Sequence, residues 1–189
     1  MQFEAPALAP ELQVSEWFNT PGPLSLAALR GRVVLLHAFQ MLCPGCVSHG
    51  LPQAAQVGKL FPRGDVSVIG LHTVFEHHDV MTSAALRAFI HEYRLPFPVG
   101  IDQAAADGDI PLTMRAYALR GTPSLVLIDR QGRVRLNHFG QIDDLALGAL
   151  IGQLMAEGEA PLEAAAAAGA RASAATPPDA CDDLACRPS

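Results

Sequence analysis

The sequence predicts an α/β domain, a mixed sheet with helices on both faces, and three observations carry that prediction. Short apolar runs rich in β-branched residues alternate with segments of helical periodicity. The runs are apolar at successive positions, as in strands buried on both faces. The pattern then closes on a hairpin and a last helix, the order expected of a mixed sheet.

Val33 to Phe39 is the first run, interrupted only by His37. Asp65 to Leu71 and Ser124 to Ile128 are the second and third. Asp129, Arg130, Gln131 and Gly132 follow, and from Arg133 to Phe139 apolar residues alternate at Val134 and Leu136, so a hairpin with glycine in its turn is expected. A helix is expected from about Cys46 to Leu60, kinked at Pro52, where a backbone donor is missing. Ser83 to Tyr93 places Leu86, Phe89, Ile90 and Tyr93 on one helical face, read as core, behind Thr82 or Ser83 as N-cap. Asp143 or Asp144 caps a further helix carrying Leu145, Leu147, Leu150, Ile151 and Leu154. Trp17, Phe18 and Phe39 read as packing aromatics.

Composition sets the limits. The chain has 189 residues, enough for one domain with an appendage, and its 50% hydrophobic content excludes a wholly disordered chain. The net charge is -6 and Lys59 is the single lysine, which argues against nucleic acid or an anionic membrane surface as partner. No apolar stretch approaches the roughly 20 residues that cross a bilayer. The first ten residues lack a basic region followed by an apolar run, so the sequence reads as cytoplasmic; a periplasmic protein trimmed of its leader would read the same. Residues 1–16 are read as an N-terminal extension, 17–155 as the domain, and 156–189 as an alanine-rich helix followed by a tail. In that last segment six acids face two arginines, which places -4 of the net charge there.

Four cysteines are too few for a disulfide-built scaffold, and they fall into two pairs, Cys43 with Cys46 and Cys181 with Cys186. Cys43-Pro44-Gly45-Cys46 follows the first strand and opens a helix. There the helix dipole and free amides stabilise a thiolate on Cys43, and Cys46, one turn in, is more buried and suited to resolve a mixed disulfide. Zinc would need a second pair at suitable spacing, which the tail supplies only at great sequence distance. In Cys181-Asp182-Asp183-Leu184-Ala185-Cys186 the aspartates raise a thiol pKa by repelling the thiolate. Exchange with Cys43, a metal clip and a passive pair all remain open for these two.

Gly121-Thr122-Pro123-Ser124 lies just before the third strand, where proline ends a ladder and can take the cis form. With this feature the region from about Trp17 to Met155 resembles the thioredoxin fold, and within it the TlpA-like and ResA-like thiol-disulfide oxidoreductases of the redoxin/AhpC-TSA superfamily. Leu24 to Val34, Phe97 to Asp102 and Leu127 to Arg133 resemble that family's segments at matching places. The resemblance implies that Cys43 attacks a partner's disulfide, that Cys46 resolves the intermediate, and that Pro123 receives substrate backbone. It implies Pro44 and Gly45 as the active-site turn, Leu42 and Thr122 as the rim, protein or small-molecule thiols and disulfides as partners, an electron donor, and no cofactor beyond the cysteine pair.

Three departures stand out. Leu42 replaces the family's usual tryptophan, Pro44-Gly45 inverts the commoner Gly-Pro, and His37 occupies the place where thioredoxins carry a buried acid. Imidazole can take up and release a proton near neutral pH, so His37 is read as a proton relay for Cys46, against the alternative of a core histidine bonded to the backbone.

Two other functions are weighed. A peroxiredoxin-like peroxidase would also use a cysteine at a helix start, with Cys43 peroxidatic, but its proline and threonine positions hold Leu36 and Gln40. A metal-binding or metallochaperone domain would use Cys43, Cys46 and the tail thiols. His72, Glu76, His77, His78 and Asp79 form a polar cluster after the second strand, read as a solvated loop rather than a metal site.

Overall fold

The computed structural model describes residues 6–157. The expected alanine-rich helix and Cys181 with Cys186 lie outside these residues. The elements in chain order are β1 (Val14–Phe18), β2 (Val33–Phe39), α1 (Leu51–Leu60), β3 (Val66–His72), α2 (Ser83–Glu92), β4 (Val99–Asp102), α3 (Leu112–Ala116), β5 (Ser124–Ile128), β6 (Val134–Phe139) and α4 (Asp144–Glu157). One 3-10 turn, Ala27–Leu29, precedes β2, and a wide π-helical turn, Cys46–Gly50, leads into α1.

The six strands form one mixed sheet in the order β1-β4-β3-β2-β5-β6. β2 is parallel to β3, β3 is parallel to β4, and β2 is antiparallel to β5, while the β1–β4 and β5–β6 pairs are antiparallel. This is a thioredoxin-like fold. All seven residues of β2 are buried, as its unbroken apolar run requires. Val33, Leu35 and Phe39 face α1, α2 and α4 through Ala54, Val57, Leu86 and Ile151. Val34, Leu36 and Ala38 face Leu26, Met114 and Tyr117 on the other side. The period of two in a strand thus distributes one run between two cores.

Caps and turns follow the local chemistry. Thr82 caps α2, its Oγ1 accepting from Ala85 N–H at 3.2 Å. Asp143 caps α4, accepting from the N–H groups of Leu145 and Ala146. In the β5–β6 hairpin Asp129 accepts from the amides of Gln131 and Arg133, and Gly132 turns at φ +77, with the Arg30 guanidinium lying where a side chain would project.

Several expectations need correction. Residues 6–16, expected as an extension, are built into the sheet domain: Val14 and Glu16 pair with β4, Leu8 bridges to Arg133, and the Tyr117 hydroxyl donates to Pro10 O at 2.6 Å. Pro52 does not kink a continuous helix; it sits in the first turn of α1, and the wide turn before it absorbs the missing donor. Tyr93, expected in the core, is 53% exposed because α2 ends at Glu92, and its ring lies 4.2 Å from that of Phe89 at the surface. Trp17 is partly buried against the second core, and Phe18 and Phe39 are buried.

Asp102 ties the edge of the sheet to α3. It is buried at the end of β4, and its carboxylate accepts from Thr113 N–H at 2.8 Å, Met114 N–H at 2.9 Å and the Thr73 hydroxyl at 3.0 Å. Burial pushes its pKa up, opposed by these donors. Thr113 in turn exchanges two hydrogen bonds with the backbone of Gln13. Replacing Asp102 by alanine leaves three buried donors without an acceptor. Asp102→Ala is expected to cost about 2–4 kcal/mol, read as a lower urea midpoint at pH 7.

Candidate active site

The active-site segment leaves the C-terminal end of β2, where the chain must pass from a two-sided core into solvent. Gln40 bridges that exit, its carbonyl accepting from Cys43 N–H at 3.2 Å. Pro44 is exposed, Gly45 is half-buried, and Ser48 Oγ donates to Pro44 O at 2.8 Å, closing the turn. Gly45 lies against the Pro123 ring, which a Cβ there would meet at 3.4 Å.

The two cysteines differ as their positions dictate. Cys43 is half-buried, and Cys46 is fully buried against Leu51 and the β2 side chains. Their sulfurs are 2.6 Å apart, and Cys46 N–H donates to Cys43 Sγ at 3.2 Å. The Cys43 thiol donates to Thr122 O at 3.5 Å. Cys43 Sγ thus accepts from both the amide and the thiol of Cys46 while its own thiol reaches Thr122 O. Burial, together with the contact to Cys43, raises the Cys46 thiol to about 12, and the Gln40 backbone amide and the Thr122 side chain oppose the rise. One sulfur is therefore accessible, and the other is held protonated until a change at the first draws it in.

The Thr122–Pro123 peptide is cis and places Thr122 O beside Cys43. Pro123 O accepts from Gly140 N–H at 2.8 Å, which fastens this loop to the end of β6. Leu42 is 59% exposed and Thr122 half-buried, so both stand at the rim.

His37 lies inside this frame. Its side chain is buried, its Nε2 has no hydrogen-bond partner, and burial depresses its pKa to about 4. The ring packs directly beneath the wide turn: a Cβ at Gly50 would collide with His37 Cε1 and come within 2.6 Å of Nε2 and 3.4 Å of Pro123 Cβ. Gly50 has an ordinary helical φ of -63, so only this close approach calls for glycine. Its role is absent from any sequence spacing, because it depends on a histidine thirteen positions earlier.

The cluster expected as a solvated loop divides. Glu76, His77, His78 and Asp79 are exposed, but His72 ends β3, fully buried, with neither ring nitrogen partnered and its pKa lowered to about 4 by burial. Its ring centroid is 5.3 Å from that of Phe39, which also stacks on His37 at 6.2 Å. His72 belongs to the strand because β3 runs one residue past the expected end. Among the described residues no group of three or more His, Cys, Asp or Glu side chains converges as a metal would require. None of their helices is long and apolar enough to cross a membrane. Leu36 and Gln40, which stand at the peroxidase positions, are both buried, Gln40 with its side-chain amide unpartnered.

Comparison with known proteins agrees with this geometry. The Redoxin family model matches residues 5–145. A thioredoxin-like superfamily protein of solved structure is 57% identical, covering 78% of this chain and 96% of its own, with a TM-score of 0.77. A thiol-disulfide isomerase from Corynebacterium glutamicum is 53% identical over the same shares, with a TM-score of 0.74. Protein DipZ of Mycobacterium tuberculosis is 30% identical over 158 residues, 82% of this chain. The chain spans about a fifth of that relative's length, 21%.

His37 and His72 set a pH dependence of stability. Their folded pKa values lie below the unfolded 6.5, so the unfolded chain binds more protons between about pH 4 and 6.5. Stability from both is fully present above pH 6.5 and is lost as pH falls toward 4, by up to about 3 kcal/mol each. Urea denaturation from pH 7.5 to 4.5 should show this slope, and a His72→Leu variant should flatten it.

Proposed function

The chain belongs to the Redoxin family, and from that premise we propose that it exchanges a dithiol for a disulfide through Cys43 and Cys46. The observation that carries this reading is the asymmetry of the pair: an accessible sulfur held by donors beside the Thr122–Pro123 loop, and a buried one whose proton is retained. The thiol-disulfide isomerase named above supports it.

In the reducing direction the Cys43 thiolate attacks one sulfur of a partner disulfide. The S–S bond breaks, the departing thiolate takes a proton from solvent, and Cys43 is left in a mixed disulfide. Cys46 then gives up its proton and attacks Cys43 Sγ, releasing the second partner thiolate. Two electrons pass to the partner and the Cys43–Cys46 disulfide remains. The oxidising direction is the same sequence reversed. The partner's backbone lies along Thr122 and Pro123, with Leu42 offering an aliphatic rim.

His37 serves as the proton acceptor for Cys46. In the closed site it is neutral, so it holds an open nitrogen, and the unpartnered Nε2 lies beneath the turn that carries Cys46. Its low basicity suits a transient carrier rather than a resting store.

Cys43→Ser is expected to abolish disulfide reduction in an insulin precipitation assay, a loss of roughly a thousandfold or more. Cys46→Ser should instead accumulate a mixed disulfide on Cys43, visible by mass spectrometry. A Cys43→Ser protein that still turned over insulin would overturn the assignment. For His37, the alkylation rate of Cys46 in a Cys43→Ser background should fall and its pH profile move in His37→Leu. An unchanged rate and profile would remove the relay.

A further inference from the structure

The end of the sheet remote from Cys43 carries a second feature that disulfide exchange does not use. β3 pairs with β4 only over Gly70, Leu71 and His72. Gly70 N–H donates to Pro98 O at 2.9 Å, and there the ladder stops. Its next step would need an N–H on Pro98 to donate to Val68 O, and proline has none. Because alternate residues of a strand face the same edge, the Val68 amide and carbonyl are turned toward this gap without a strand partner.

A cleft of about 270 Å³ opens at this gap. Its floor is apolar, with Leu24, Val68 and Phe97 among the walls, and its rim carries Arg32, Lys59 and Arg63. All three cations are exposed, and none forms an ion pair among the described residues. The nearest acid in the sequence, Asp65, is engaged by Arg130 at 3.2 Å. In a chain of net charge -6, three cations without an ion pair among the described residues, grouped around one strand edge, form a local field of the opposite sign.

We propose that this cleft is a docking site for an extended acidic peptide, which adds a short strand to the open edge of β3 at Val66–Ile69. The open edge selects a backbone that can donate to Val68 O and accept from its N–H, the apolar floor takes every second side chain, and the cations take the carboxylates between them. A second copy of this chain pairing edge to edge is disfavoured, because it would bring the two sets of cations together. Arg32 precedes β2 and Arg63 precedes β3, whereas Cys43 follows the C-terminal end of β2. A docked peptide therefore leaves the thiol site free, and the protein can hold a partner while exchanging with it.

The test uses the full chain and a labelled peptide alternating aspartate or glutamate with valine, followed by fluorescence anisotropy at low and high salt. Binding is expected to weaken with salt and to fall by roughly tenfold or more in Arg32→Glu, Lys59→Glu or Arg63→Glu, with insulin reduction unchanged. A peptide with prolines in place of alternate valines should bind at least roughly tenfold more weakly, since it cannot continue the ladder. Amide shifts in ¹⁵N spectra should centre on Val66–Ile69. If the proline peptide binds equally well, strand addition is overturned. The site itself is overturned if the peptide fails to bind, if the shifts centre on Cys43, or if the charge variants, folded by circular dichroism, bind as before.

Discussion

The structure depends on β2 being buried on both faces and hydrogen-bonded on both edges. Val33, Val34, Leu35, Leu36, Ala38 and Phe39 are each at most 2% exposed. At roughly 1.5–3 kcal/mol for each large apolar side chain, their burial contributes on the order of 10 kcal/mol. Parallel pairing with β3 and antiparallel pairing with β5 fix the register, since a slip of one residue would exchange the two cores. Cys43 follows this strand by four residues, so its position is set by an element buried on both faces and paired on both edges.

Burial then gives the site its chemistry. The shift from core to solvent occurs within a few residues, and Cys43 and Cys46 fall on opposite sides of it. Desolvation keeps Cys46 protonated and His37 neutral, which reserves a proton and an acceptor in the same dry region. His72 adds a second neutral imidazole on the same face, across Phe39. Such groups lower stability in acid, and they persist where the surrounding strands hold them in place. The thiol site and the open β3 edge lie at opposite ends of the same strands, one built from buried polarity and the other from exposed charge.

Much of the frame was legible because periodicity reports burial. The β2 and β5 limits match the apolar runs residue for residue, and the caps at Thr82 and Asp143 follow from side-chain chemistry within three residues. β1 was not legible: Val14–Phe18 has a partly exposed, weakly alternating pattern and becomes a strand only by pairing with β4, more than eighty positions away. Tyr93 is in phase with the apolar face of α2 but lies past the helix's last residue, Glu92, so the periodicity does not bury it. His72 looked like loop because its neighbours Glu76 to Asp79 are.

By itself the sequence determined the α/β class, the central strand, and a cysteine pair at a strand-to-helix junction, since each is written in residue types a few positions apart. Only the tertiary structure decided that residues 6–16 join the domain, that Gly50 exists to admit the His37 ring, and that β3 keeps an open edge beside three cations. Each of these depends on chain segments far apart in sequence meeting in space, and no local propensity or spacing encodes such a meeting.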